Sequence, residues 1–263
     1  MPTTFFGWVW LLLEKYGLLF LQGAGVTLTV ALTGTVLGFA LGLIVAIARD
    51  MQPSPGAGLL PRAALRLLKA LLGIYIEVFR GTPMMVQAMV IYYGAMQYLG
   101  LNMPYLPAGI LIVSINTAAY MAEIVRGGII SVDAGQTEAA RSIGMSHWQT
   151  MTSVVLPQAV RNIMPSIGNE FVVNIKDSSV LNVISVSELF FQTKSASGTY
   201  FRFFEAFFIA GVIYLVMTLT VTRLLRLLEK KMDGPDTYRV HGSQSDSRSV
   251  IVMERGNASG TGA

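Results

Sequence analysis

Two carboxylates, Glu170 and Asp177, lie seven residues apart in segment 152–186, whose other charged residues are Arg161 and Lys176. On an α-helix this spacing places them only about 20° apart, two turns along one face. Asn174 falls on nearly the same stripe, and Ser178 is close to it. A polar stripe of this kind can bind a cation, such as a basic side chain or the ammonium of an amino acid, through charge-assisted hydrogen bonds.

The same residues also allow a structural interpretation. One carboxylate could pair with Lys176, or with Arg161 of a neighbouring subunit. Lys176 would point about 100° away from Asp177 on a helix, so adjacency in the chain does not make them a pair. Both interpretations stay open at the level of the sequence.

Other polar groups favour structural roles. Asn116, Tyr120 and Glu123 share one helix face, where packing is favoured over substrate contact, and Glu123 could pair with Arg126. Glu77 and Arg80 could form an ion pair or a gate element near the cytoplasmic interface, with the structural role favoured. The glycines Gly34, Gly38 and Gly42 fit close helix packing.

Several chemistries are excluded by what the chain lacks. It has no cysteine and two histidines, His147 in a loop and His241 in the tail, so thiolate and clustered histidine metal sites are not predicted. No Gly-x-x-x-x-Gly-Lys-Ser/Thr loop for nucleotide phosphates occurs. The sequence therefore predicts neither an intramembrane enzyme nor an ATPase.

The composition defines the elements that must position these residues. Of 263 residues, 53% are hydrophobic and only 13% charged, with a mean hydropathy of +0.57. These values are typical of an all-α membrane protein. Five crossings are predicted, at residues 18–48, from 70 or 83 to 99, 105–126, 152–186 and 204–226. Residues 63–79 could instead form an amphipathic helix at the membrane interface.

Positive charge is concentrated in the first and third loops and after the last crossing. This asymmetry predicts that those parts are cytoplasmic and that the N-terminus lies outside. Residues 1–17 would then be an extracytoplasmic segment, without the features of a removable signal peptide. Residues 231–263 would be a disordered cytoplasmic tail. The same asymmetry accounts for most of the net charge of +4, so no nucleic acid partner is predicted.

The polar insert 133–157 is predicted to form two short helices. Asp133 and Gln136 could form one capping box and Ser146 and Gln149 a second, with Gly144 ending the first helix in the left-handed conformation. From spacing alone, a docking ridge for another protein and a solvated connector remain equally acceptable.

At this point the residues resemble a family. Glu138, Ala139 and Ala140, followed by Gly144 and then by Leu156 and Pro157, are similar to the signature loop of permease subunits in binding-protein-dependent ABC importers. Segments 77–83, 116–124, 168–171 and 176–179 resemble the polar amino acid permease branch, in the expected order. Together with the hydropathy, the resemblance covers residues 18–230.

The resemblance implies a type I ABC importer permease fold in the cell membrane of a prokaryote. The coupling loop 133–157 would dock on a cytoplasmic ATPase dimer through Glu138, Ala139, Ala140, Gly144, Leu156 and Pro157. ATP and Mg²⁺ would bind to that ATPase, so this chain would carry no cofactor and catalyse no reaction.

Further partners follow from the same resemblance. They are a second permease chain, identical or related, an extracytoplasmic binding protein and an amino acid substrate. In arginine-type members, acidic residues that match Glu170 and Asp177 contact the substrate, which favours a basic or other polar amino acid. A secondary amino acid transporter, or an ABC permease for another substrate, are the alternatives. A secondary transporter would normally show two related halves, and no internal repeat is found.

Overall fold

The computed structural model describes residues 2–53 and 58–232 as a helical bundle. The helices are α1 (Phe5–Asp50), α2 (Leu59–Gly81), α3 (Met84–Leu99), α4 (Tyr105–Ile130), α5 (Ala134–Ser142), α6 (His147–Thr150), α7 (Leu156–Asp177), α8 (Leu189–Tyr200) and α9 (Phe203–Met232). A π-helical segment, Met151–Val155, joins α6 to α7, and a 3-10 helix, Ser178–Ile184, follows α7. The predicted tail 231–263 lies outside the described residues, except that α9 extends to Met232.

Helix α1 is much longer than the crossing predicted at residues 18–48. It begins at Phe5, where the side chain of Thr4 accepts a hydrogen bond from the Gly7 N–H at 3.2 Å. Its 46 residues correspond to about 69 Å, more than twice the thickness of a hydrocarbon core. Hydropathy predicts which part of a helix lies in the hydrocarbon core, whereas capping residues and helix-breaking residues determine where the helix begins.

The second predicted crossing is divided into two helices at Pro83. Helix α2 ends at Gly81, and α3 begins at Met84 with Pro83 as its N-cap. Proline lacks an N–H and disfavours the helical conformation in the residue before it, and Thr82 is accordingly extended (φ −121°, ψ 149°), so the helix is interrupted here. The start at residue 83 was therefore the better alternative, and residues 63–79 belong to a separate helix.

The fourth predicted crossing, 152–186, is also divided. Its first residues form the π-helical segment, in which the Leu156 N–H donates to the Met151 carbonyl, five residues earlier. Its last residues form the 3-10 helix, so α7 itself ends at Asp177. Within the described residues, three helices are long and apolar enough to span a membrane by themselves: Phe5–Asp50, Tyr105–Ile130 and Phe203–Lys231.

Helix α8 was not predicted, because its sequence mixes polar and small residues as loops do. It is held by Glu188, which is fully buried and accepts hydrogen bonds from the N–H groups of Phe190 and Phe191 at 2.9 and 2.7 Å. The Tyr214 hydroxyl of α9 donates to the same carboxylate at 2.8 Å. One buried acid thus caps α8 and joins it to α9.

The three glycines of α1 pack against α4, as predicted. A Cβ added to Gly38 would lie 2.7 Å from the Cβ of Thr117, and one added to Gly42 would lie 2.8 Å from the Ala118 carbonyl oxygen. Gly34 faces Val113 in the same way. The absence of side chains at these positions lets the two backbones approach closely.

We expect Gly42→Ala to destabilise the protein by about 1–3 kcal/mol, because the new methyl group would meet backbone atoms of α4 that cannot move aside cheaply. Gly25→Ala is the matched control, since Gly25 is an exposed glycine of the same helix with no atom near its Cβ position. Gly25→Ala should change the free energy of unfolding by no more than about 0.5 kcal/mol. Thermal unfolding of the purified protein in detergent measures both, and equal melting temperatures would contradict the close packing.

Candidate functional site

A cavity of about 280 Å³ lies between the start of α3, α4 and α7. This volume is near the lower end of the roughly 300–1,000 Å³ that is usual for small-molecule sites. Its lining combines apolar, aromatic, amide and acidic side chains: Thr82, Pro83, Met84, Asn116, Tyr120, Glu170, Val173, Asn174 and Asp177. The size suits one small polar metabolite.

Both predicted carboxylates line this cavity. Glu170 is only 6% exposed, and Asp177 lies two turns further along the same helix. Within the described residues, neither side chain forms a hydrogen bond or an ion pair. Lys176 and Arg161 are exposed and do not pair with them in this chain. Among the described residues, the cavity therefore holds two acidic groups without a hydrogen-bond or ion-pair partner: the buried Glu170, which would normally need one, and the half-buried Asp177.

Asn174 lies between the two carboxylates, but its amide is already engaged. Its Nδ2 lies 2.8 Å from the Thr35 hydroxyl and 3.0 Å from that of Thr117, and its Oδ1 lies 3.3 Å from the Thr117 hydroxyl. These contacts join α7 to α1 and α4. They fix the rotation of α7 about its axis, and thereby the direction in which Glu170 and Asp177 point.

Ser178 does not reach the cavity. It is fully buried, and its hydroxyl donates to the Ile175 carbonyl at 3.0 Å. The residue lies just beyond the end of α7, where the backbone changes to 3-10 geometry. Because 3-10 turns advance 120° per residue, the stripe predicted for a continuous α-helix ends at Asp177.

The opposite wall of the cavity is the break between α2 and α3. Gln87 Nε2 lies 2.9 Å from both the Phe79 and Thr82 carbonyl oxygens and 2.8 Å from the Thr82 hydroxyl. The Oε1 atom of Gln87 accepts a hydrogen bond of 2.8 Å from Asn116 Nδ2. Gln87 was not predicted as a site residue, because a single glutamine in a helix forms no recognisable pattern.

Arg80 takes a different partner from the predicted one. Within the described residues it forms no ion pair with Glu77. Its guanidinium lies instead over the ring of Tyr120, 5.6 Å from the ring centroid, and Tyr120 lines the cavity. The i, i+3 spacing allowed the pair, but the tertiary packing supplied an aromatic face, which attracts a guanidinium.

Glu123 lies outside the cavity and has a structural environment. It pairs with Arg126 at 2.7 Å, as predicted, and also with Arg49 at the end of α1, again at 2.7 Å. The second contact joins α1 to α4 and could not be inferred from local spacing.

The insert forms the two predicted short helices, α5 and α6. Ser146 and Gln149 form the predicted capping box, and Gly144 has the predicted positive φ of 84°. The Asp133 side chain caps α5 by accepting from the Gly135 N–H at 2.6 Å. The Gln136 N–H donates to the Asp133 carbonyl at 3.0 Å, and among the described residues the Gln136 side chain makes no hydrogen bond back to Asp133, so the predicted capping box does not form. An aspartate side chain can accept from the backbone N–H two residues later, as in an Asx turn, instead of from the N–H three residues later that a capping box uses.

The surface of this helical hairpin combines polar and apolar groups. Glu138, Ala139, Gly144, Leu156 and Pro157 are exposed, whereas Ala140 is buried. The largest exposed apolar side chains flank the turn: Ile143 is 78% and Trp148 is 74% exposed. These two residues were not predicted as part of the site.

Within the described ranges, no group of three or more acidic or histidine side chains could hold a metal ion.

Long apolar helices that surround a cavity with charged side chains are typical of membrane proteins that bind or conduct a polar ligand. Residues 54–234 match the family described as binding-protein-dependent transport system inner membrane component. The chain belongs to this family, and it is therefore a multi-pass membrane permease subunit of an ABC importer.

Relatives and solved structures define the branch. The chain is 36% identical over 215 residues to the glutamine transport system permease protein GlnP of Escherichia coli (strain K12), covering 81% of this chain and 93% of the relative. It is 32% identical over 216 residues to the arginine transport system permease protein ArtQ of Bacillus subtilis (strain 168), covering 82% and 93%.

Among solved structures, an amino acid ABC transporter crystallised with histidines matches with a TM-score of 0.75 and 39% identity, covering 88% of this chain and all of that one. An inward-facing MetNI methionine ABC transporter matches with a TM-score of 0.67, 17% identity and coverage of 83% and 98%. The amino acid permease branch and the type I importer fold predicted from the sequence are thus confirmed. In this family the transport subunit is not the enzyme, and a secondary transporter is excluded.

We expect the double variant Thr35→Val, Thr117→Val to lower the free energy of unfolding by about 1–2 kcal/mol, because the Asn174 amide would lose both hydroxyl partners. Thr29→Val is the control, since its exposed hydroxyl bonds only to the Gly25 carbonyl of its own helix. Thermal unfolding in detergent compares them. If the double variant has the same melting temperature as the control, the hydrogen bonds of Asn174 to Thr35 and Thr117 do not stabilise the position of α7.

Proposed function

We propose that this permease moves a basic amino acid through the cavity between α3, α4 and α7 by alternating access. The observation that carries the proposal is the pair of unpartnered carboxylates, Glu170 and Asp177, on the cavity wall. The ammonium of any amino acid would compensate one negative charge. A cationic side chain would compensate the second, so arginine, lysine or histidine fits better than a neutral amino acid.

A second candidate is an uncharged polar amino acid. It is favoured by the similarity to a permease that is named for glutamine transport. With such a substrate, one carboxylate would have to be neutralised by a proton or by a charge from another subunit. The two candidates therefore differ in whether both acids contribute to transport.

The driving force would come from a partner. We propose that the hairpin of α5 and α6, with the start of α7, docks on a cytoplasmic ATPase dimer that binds ATP and Mg²⁺. The exposed Glu138, Ala139, Gly144, Leu156 and Pro157 would form the coupling surface, and the buried Ala140 would support it from inside the hairpin. Ile143 and Trp148 would add apolar anchors, since exposed large side chains at the centre of a polar surface are typical of interface hot spots.

The remaining parts of the assembly follow from this arrangement. A second permease chain, identical or related, would complete the pathway, and an extracytoplasmic binding protein would deliver the amino acid. The N-terminus would lie outside and the C-terminus in the cytoplasm. The basic first loop and the basic segment after the last crossing would then lie on the same, cytoplasmic side of the membrane as the hairpin.

The substrate is best tested with the permease, its ATPase and its binding protein in liposomes. ATP hydrolysis should be stimulated by basic members of the twenty amino acids. Glu170→Gln and Asp177→Asn should each reduce uptake of the stimulating amino acid about tenfold or more, because each removes a charge-assisted contact. The exposed Glu14→Gln is the control and should leave uptake unchanged.

If both cavity variants transport like the control, the carboxylates are structural. If glutamine stimulates hydrolysis and only one of the two acids matters, the uncharged substrate is the correct candidate.

The coupling surface is tested by co-purification of the ATPase. Trp148→Ala should greatly reduce the recovered ATPase, since loss of a hot-spot side chain commonly costs about 2 kcal/mol or more of binding free energy. Gly144→Ala should weaken association or coupling, because an alanine at φ 84° is strained by about 1–2 kcal/mol.

Gly127→Ala is the control, because Gly127 is exposed in α4 and has no atom near its Cβ position. Size-exclusion chromatography shows whether each variant folds. Full ATPase recovery and activity with both hairpin variants would contradict docking at this hairpin.

A further inference from the structure

We propose that the start of α2, residues 59–70, binds anionic phospholipid headgroups at the membrane surface next to the helical hairpin. With the orientation proposed above, this surface belongs to the cytoplasmic leaflet. The inference concerns the lipid partner of the permease, and it depends neither on the transported substrate nor on the ATPase. It rests on the position of this segment, on its two opposite faces and on its positive charge.

The start of α2 lies at the end of the bundle that carries the hairpin. Ile76 of α2 belongs to one apolar cluster with Ala119 and Ala122 of α4, and three residues later the Phe79 carbonyl lies 3.4 Å from Asn116 Nδ2. Because the contacts advance along α2 while they recede along α4, the two helices are antiparallel. The start of α2 therefore lies on the side of the end of α4, from which the chain enters the hairpin.

This segment is not covered by the rest of the described chain. Among the described residues 59–75 no side chain is buried, and Ile76 is the first that is. Leu59, Leu60 and Leu67 are 88%, 81% and 61% exposed. Residues 59–70 correspond to about 18 Å of helix. A helical segment of this length gains most of its stability from packing, so a surface outside the chain has to cover its leucines.

The segment has two opposite faces. Arg62, Arg66 and Lys69 are spaced by four and three residues, which places them within about 60° of one another on a helix. Leu67 and Leu71 form a second stripe, about 150° away from the first. A basic face opposite an apolar face is typical of helices that lie in the membrane interface, with leucines among the acyl chains and basic side chains among the headgroups.

The basic face carries positive charge that its neighbours in the sequence do not neutralise. No acidic residue occurs between Asp50 and Glu77. In the part of the chain that the structure describes, Arg62, Arg66 and Lys69 form no ion pair and no side-chain hydrogen bond. Anionic phospholipids supply complementary charge, and near such a surface each basic residue strengthens binding roughly fivefold.

A bilayer covers both faces at once. The chain is a multi-pass membrane protein, so the end of the bundle next to the hairpin meets a membrane surface. A soluble protein would cover one side of the helix, whereas a helix immersed in the interface is surrounded on all sides. Two stripes about 150° apart therefore fit a lipid surface better than a single protein surface.

Lipid contact is measured with the full chain in nanodiscs. The chain has no cysteine, so Leu67→Cys carries a single fluorophore on the apolar face. Two preparations contain the same mixture of phosphatidylcholine and phosphatidylglycerol, and a nitroxide quencher is attached to the acyl chain of one lipid or of the other. We expect phosphatidylglycerol to be preferred about tenfold at about 50 mM salt. The preference should decrease at about 500 mM salt, because ions screen the headgroup contacts.

The second experiment removes the basic face in the same labelled chain. Glutamine is used because it also favours helix. The preference for phosphatidylglycerol should disappear in the triple variant Arg62→Gln, Arg66→Gln, Lys69→Gln. The matched control removes the same amount of charge from the exposed end of α9 and should keep the preference: Arg223→Gln, Arg226→Gln, Lys230→Gln.

Equal quenching by the two lipids would overturn the proposal. An unchanged preference in the triple variant would also overturn it, because other groups would then attract the lipid. Quenching by neither lipid would show that a protein covers this segment, which contradicts a lipid surface. If size-exclusion chromatography shows that the triple variant does not fold, Arg66→Gln replaces it and should lower the preference about fivefold. No change in that variant would be equally contrary, whatever the substrate tests show.

Discussion

The structure depends on keeping two acidic side chains, the buried Glu170 and the half-buried Asp177, on the wall of a cavity where neither has a partner among the described residues. Isolated carboxylates are costly in such surroundings, so a fold that retains them must hold them firmly and must gain something from them. The Asn174 amide, bonded to Thr35 and Thr117, fixes α7 against α1 and α4. The glycines of α1 bring the helices close enough for these short side chains to meet. Close packing and the acidic wall are therefore parts of one arrangement.

The break between α2 and α3 is the second element of that arrangement. A proline ends one helix and starts the next, and Gln87 satisfies the carbonyl oxygens that the break exposes. Asn116 of α4 donates a hydrogen bond to Gln87 and so connects the break to α4. Because Asn174 of α7 also bonds to α4, the same helix holds both walls of the cavity. A buried amide on each wall, Asn174 on one side and Gln87 on the other, positions the groups that face the cavity.

The helical hairpin of α5 and α6 leads directly into α7, which carries Glu170 and Asp177. The connection is the π-helical segment Met151–Val155 followed by Pro157, and π-helical turns are frequently found at functional sites. A force applied to the hairpin would therefore reach the acidic wall through one continuous helical path. This continuity supports the proposal that the hairpin is a coupling surface.

The sequence by itself determined the membrane class, the family, the two short helices and the residues of the acidic stripe, because composition, capping and local spacing are local properties. It did not determine the length of α1, the helix α8, the second partner of Glu123 or the roles of Gln87 and Arg80. Three of these features depend on groups distant in the chain: Glu188 with Tyr214 for α8, Glu123 with Arg49, and Arg80 with Tyr120. Ser178 left the predicted stripe because the helix changes its period at Asp177. Helical periodicity predicts a face only while the helix continues, and only the tertiary structure decides what that face meets.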